Sequence, residues 1–81
     1  MFLLSKTCMA VIQKHRRLLG EAVRAKRKQA QLSQEKLAEK SDLSTVFISR
    51  VERAVESPSV DNLVKIARAL SVRVRELVDQ F

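Results

Sequence analysis

The chain has 81 residues, a net charge of +7, one cysteine, one glycine and one proline, a size that allows a single domain with a modest core and leaves no room for a second catalytic domain. A lone Cys8 excludes an intrachain disulfide scaffold and fits a reducing, cytoplasmic setting. Turn glycines for sheet hairpins are missing while strong helix formers run throughout, so the expected fold class is all-α, without strands.

The opening residues carry the apolar run Phe2-Leu3-Leu4, but Lys6 interrupts it, and neither a signal peptide nor a membrane span of about 20 apolar residues is expected. Met9 is a second candidate start alongside Met1. Residues 1–17 form an N-terminal arm or helix extension, and residues 18–81 the domain proper. The first helix is expected from about Leu18 to Ala30, with an earlier start open; Leu19, Val23 and Arg27 share one face, and Gln31-Leu32 ends it. Ser33 is placed to cap a second helix, Gln34 to Ser41, with Glu35 in its first turn and Leu37 and Ala38 on its apolar side. Asp42 stands at a sharp turn, and Ser44 caps a third helix in which Ile48 and Val51 are the buried pair, away from Thr45, Val46, Ser49 and Arg50.

A loop, Ala54 to Pro58, follows, because proline disfavours helical backbone before it and lacks an amide proton. Ser59 caps a fourth helix with Val60, Leu63, Val64, Ala67 and Leu70 as its core stripe. Ser71 to Arg73 interrupt the pattern, and Val74, Leu77, Val78 and Phe81 continue it in a fifth helix to the C-terminus. Phe47, Val74, Val78 and Phe81 are core candidates, yet a core this small leaves some of them, with Phe2, Leu3 and Leu4, for an interface.

Charge is concentrated at one end. Residues 1–31 hold eight bases (Lys6, Lys14, Arg16, Arg17, Arg24, Lys26, Arg27, Lys28) against Glu21 alone, and the remainder balances eight bases with eight acids. Such a segment suits a polyanion, nucleic acid before membrane, or else forms a solvated helix face. His15 and Cys8 have no partner cluster, so no metal, cofactor or small-molecule ligand is expected, and no acid-base pair or nucleophile constellation suggests an enzyme.

Two short helices joined by a tight turn between Ser33 and Ala54 form a helix-turn-helix pattern, weak by itself. The full string is more specific: Leu19-Gly20-Glu21, Val23-Arg24, Arg27, Leu32-Ser33-Gln34-Glu35, Leu37-Ala38, Leu43-Ser44, Ile48-Ser49-Arg50-Val51-Glu52-Arg53, Ser57-Pro58-Ser59, Leu63, Ile66-Ala67, Ala69-Leu70 and Glu76-Leu77. Over about Leu19 to Leu77 it resembles the Cro and lambda-repressor type of helix-turn-helix domain, the Xre-like family, which includes restriction-modification controller proteins. The resemblance implies a five-helix domain whose third helix enters the major groove of double-stranded DNA. Carried over residue by residue, it puts base contacts at Ser44, Thr45, Val46 and Arg50, and phosphate contacts at Gln34 and Ser49. Arg53, Arg24 and Lys28 are further phosphate candidates. It also implies a salt bridge between Arg27 and Glu52.

Arg50 suits a bidentate contact with guanine O6 and N7, while Val46 and the Thr45 methyl suit a thymine methyl. Family members usually dimerise, which implies a homodimer on a palindromic operator with an interface at Val74, Val78 and Phe81, and RNA polymerase as a candidate second partner. The leading function is a stand-alone transcriptional regulator, such as a phage repressor or a controller protein; the alternatives are an antitoxin that binds its own operator and a basic amphipathic membrane binder. The chain departs from the family at Gln31, Asp42 and Ala54, where glycine is common, at Glu56, where a base often meets phosphate, and at Arg73, where a capping Ser or Thr is usual.

Overall fold

A computed structural model describes the backbone of residues 2–81 and the side chains from Met9 onward. The readings placed on the side chains of Phe2, Leu3, Leu4, Lys6 and Cys8 fall outside the described residues. Five helices follow in order, α1 (Phe2–Gln29), α2 (Gln34–Ser41), α3 (Thr45–Glu52), α4 (Val60–Ala69) and α5 (Val74–Val78), with no strand among the described residues. The first helix begins well before Leu18 because nothing between Phe2 and Gly20 breaks it: the segment has no proline and no earlier glycine. At about 1.5 Å per residue its 28 residues account for the 43 Å long axis of the molecule.

Serine caps start the middle helices. Ser33 Oγ accepts from the Lys36 amide, Ser44 Oγ from Phe47 and Ser59 Oγ from Asn62, at 3.0, 3.0 and 3.2 Å, each satisfying an amide that the first turn leaves without a partner. Arg73 has no acceptor to offer at the start of α5; there the Glu76 carboxylate reaches back to the Arg73 amide at 2.8 Å.

Four helices end in the same way. Gln31, Asp42, Ala54 and Ser71 adopt positive φ of 60°, 58°, 66° and 58°, and the amide after each reaches five residues back: Leu32 to Arg27, Leu43 to Ala38, Val55 to Arg50 and Val72 to Ala67. This double-bonded closure normally uses glycine at the left-handed residue. The departures from glycine noted at Gln31, Asp42 and Ala54 therefore leave the turn geometry intact and put a side chain into it.

The core draws on every helix: Leu19 and Val23 from α1, Leu37 and Ala38 from α2, Ile48 and Val51 from α3, Ile66, Ala67 and the adjoining Leu70 from α4, and Leu77 from α5. Two expectations change. The core stripe of α4 is Leu63, Ile66, Ala67 and Leu70, whereas Val60 is 76% and Val64 39% exposed. Two apolar stripes overlap on that helix, and its packing against α2 and α5 selects the one containing Ile66. Helix α5 also stops at Val78, so Phe81 is not part of its stripe. Phe81 instead stacks on His15 of α1, ring centroids 4.6 Å apart and planes 16° from parallel, and stays half exposed.

Candidate nucleic-acid interface

At about 100° per residue, Thr45, Ser49, Val46 and Arg50 fall within roughly 140° of arc on α3, opposite the wholly buried Ile48 and Val51. The core thus holds the helix by one side and leaves the other outward. Val46 is the most open of the set at 67% exposure, Arg50 is exposed, and Thr45 and Ser49 are half-buried. Ser44 is exposed beside them, but its oxygen is occupied as the cap of α3, which leaves its hydroxyl proton free to donate.

Behind this face a polar cluster joins three helices. Arg27 Nε donates to Glu52 Oε2 at 2.7 Å and Arg27 Nη2 to Glu52 Oε1 at 3.0 Å, a two-pronged pair in which the side chains are only 11% and 4% exposed. Arg27 Nη1 donates to the Leu32 carbonyl at 2.8 Å, and Gln34 Nε2 to Glu52 Oε1 at 3.1 Å. The hydrogen bond to Glu52, reinforced by its charge, outweighs burial and raises the pKa of Arg27 above the ordinary arginine value. A guanidinium on α1, an amide at the start of α2 and a carboxylate at the end of α3 are thereby tied together. Gln34 still has its carbonyl and one N–H to offer at the N-terminus of α2.

The structure separates the remaining candidates. Arg24, Lys28 and Arg53 are exposed, and their side chains make no hydrogen bond or ion pair among the described residues; Arg24 and Lys28 lie on α1 and Arg53 just past α3. Val74 and Val78 pack half-buried against the core, with Phe81 more open at the C-terminus.

Two residues that matter to the site were not read from the sequence in this role. Gly20 lies where α1 crosses the end of α3: a Cβ there would sit 2.6 Å from the Val51 carbonyl oxygen and 2.7 Å from that of Glu52. It is the one glycine in the chain, and that rarity and its place in the family-like Leu19-Gly20-Glu21 element were its signals. Glu56, noted only as an unexpected acid, accepts a hydrogen bond from Arg50 Nε at 3.1 Å. No helical spacing links positions 50 and 56, so only the loop geometry reveals the pair.

Comparisons with known proteins agree with the fold and identify the family. A helix-turn-helix family profile matches residues 23–77. The control protein C.BamHI of Bacillus amyloliquefaciens is 43% identical over 65 residues, covering 79% of this chain and 80% of that protein. The restriction-modification controller protein C.AhdI of Aeromonas hydrophila superposes with a TM-score of 0.75 at 37% identity, over 76% of this chain and 94% of that one. The P22 c2 repressor, solved in complex with a synthetic operator, gives a TM-score of 0.72 at 32% identity, over 78% and 96% of the two chains.

Proposed function

This chain belongs to the helix-turn-helix family of DNA-binding transcriptional regulators, and from that premise we propose that it acts as a cytoplasmic homodimer that reads a palindromic operator with α3 in the major groove. The observation that carries the reading is the division of α3 into a buried side, Ile48 and Val51, and an outward side, Thr45, Val46 and Arg50. A helix held in this way presents side chains to base edges on a rigid support.

In this reading Ser44, Thr45, Val46 and Arg50 contact bases, with Arg50 on a guanine and the Val46 and Thr45 methyls against thymine methyls. Gln34, Ser49, Arg53, Arg24 and Lys28 contact phosphates and fix register without reading sequence. Gln34 has a second task, since its amide group also holds Glu52. The Arg27–Glu52 pair orients the reading helix from behind. A two-fold axis through an interface built on Val74, Val78 and Phe81 would set two copies of α3 about 34 Å apart, one turn of DNA. RNA polymerase is the partner through which operator binding would change transcription.

The P22 c2 repressor was solved on operator DNA, and both C.BamHI and C.AhdI are controllers. These relatives favour a controller or repressor role and give the antitoxin alternative no support. No described helix is long and apolar enough to cross a membrane.

Selection of bound DNA from a random pool, with the mass of the protein measured alongside, tests the proposal. The expected outcome is an inverted repeat bound by a dimer. Arg50→Ala should flatten base preference at one position of each half-site, whereas Gln34→Ala should weaken binding to all sequences alike. Equal losses across an operator library for both variants would contradict this division of roles.

A further inference from the structure

On the basis of the reading role proposed for α3, we infer that Glu56 is the positioning residue for Arg50: it fixes the guanidinium so that its outer edge is presented to a base, and it suppresses attraction of that arginine to phosphates at random sequence. The two side chains meet through a single bond, Arg50 Nε to Glu56 Oε1 at 3.1 Å. Arginine carries five N–H groups. With Nε engaged, the four on Nη1 and Nη2 remain, and these form the edge that matches guanine O6 and N7.

The loop holds Glu56 in place through the backbone of the residue it serves. Ala54, at a φ of 66°, reverses the chain, and the Val55 amide bonds to the Arg50 carbonyl at 3.0 Å. Glu56 follows directly, and Pro58 stiffens the loop two residues later. Main chain and side chain together close a ring from the Arg50 carbonyl through Val55 and Glu56 to Arg50 Nε.

The side chains are 45% and 37% exposed, and an ion pair this open contributes little to folding. Its consequence is orientation. A free arginine would lose rotamer freedom on meeting a base, whereas one already held loses less. The Glu56 charge also offsets that of Arg50, so what the arginine keeps is directional hydrogen bonding more than long-range attraction for any phosphate. Both effects widen the gap between operator and random DNA, which is the quantity that counts for a regulator among many competing sites.

The test measures binding of the full-length protein to the operator selected from the random pool, to operators substituted at the base pair read by Arg50, and to random-sequence DNA. Glu56→Ala should lose about tenfold in discrimination at that base pair, within the range a bidentate contact supplies, and should bind random DNA more tightly. Glu56→Gln keeps an oxygen that accepts from Nε, so it should retain most of the base discrimination while sharing the tighter binding to random DNA. In an Arg50→Ala background, Glu56→Ala should leave base preference unchanged. The Glu56 side chain is partly exposed, and a melting curve for each variant checks that it is folded.

Discrimination that survives Glu56→Ala, or improves because Glu56 had been holding Arg50 away from DNA, overturns the positioning role while leaving the α3 reader standing. Equal loss of base preference in the Gln and Ala variants also overturns it. A wild-type protein that selects no sequence overturns both the reader and this inference.

Discussion

Single residues in this chain decide how tightly its helices turn and cross. Ala54 occupies left-handed backbone at a φ of 66°, a conformation that costs a residue with a Cβ roughly 1–2 kcal/mol. Ala54→Gly should therefore stabilise the protein by about 1 kcal/mol, raising the melting temperature by around 5 °C at fixed protein concentration. Asp42→Gly should gain less, because aspartate tolerates this region better than alanine. A melting temperature for Ala54→Gly at or below that of the wild type would show that the alanine methyl makes contacts worth more than the strain. Gly20 works in the opposite sense. A methyl placed 2.6 Å from the Val51 carbonyl must push α1 off α3, so Gly20→Ala should cost about 1–3 kcal/mol in urea denaturation. A neutral result would mean that the two helices slide apart freely.

Between elements, the cluster of Arg27, Glu52 and Gln34 does what the apolar core cannot. Leu, Ile and Val hold helices together but tolerate small rotations, whereas the two-pronged bond from Arg27 to Glu52 fixes the end of α3 in direction as well as distance. Because the Glu52 side chain is 4% exposed, Glu52→Ala leaves a buried guanidinium without its partner and should cost about 3–5 kcal/mol. The double variant Arg27→Met with Glu52→Leu should recover much of that, falling short of full recovery because the Leu32 carbonyl and the Gln34 amide lose their bonds. Urea titrations of the three proteins check this; a single variant within 1 kcal/mol of the wild type would remove the pair from the account of how α3 is held. The left-handed turns are the second device at this scale, since each closes one helix and starts the chain towards the next within a few residues.

For the molecule as a whole, the net positive charge lies in α1, outside α3, the helix proposed to read DNA. A dimer that neutralises phosphates with Arg24, Lys28 and Arg53 from each copy makes about six such contacts, so log K should fall with log salt at a slope of about −5. Substituting Arg24 and Lys28 by alanine should reduce that slope by nearly four and lower affinity for operator and random DNA together. Filter binding or anisotropy across a salt series measures it, and an unchanged slope would show that these bases do not meet the backbone. Glu56→Ala acts at the other end of this balance, on selectivity more than on overall attraction.

Much of the architecture was legible in the residues. Serines 33, 44 and 59 mark helix starts because a hydroxyl there satisfies amides in the first turn, a local effect that needs no tertiary partner. The Ile48 and Val51 pair of α3 was equally clear, since a single short apolar side leaves no choice of face. Where two stripes overlap, as with Val60 and Val64 against Ile66 in α4, periodicity permits either, and only the neighbours α2 and α5 select one. The Arg27–Glu52 pair entered through family resemblance alone, as its partners lie 25 positions apart. Contacts of the third dimension had no pattern to announce them: Gly20 against the α3 carbonyls and Glu56 against Arg50. Sequence by itself determined where the three serine-capped helices begin, which side of most helices is apolar and where the charge accumulates, because those follow from the residues themselves and from neighbours three or four positions away. Tertiary structure alone decided how closely helices cross and which charges meet, because loops bring together groups whose separation along the chain follows no helical or strand period.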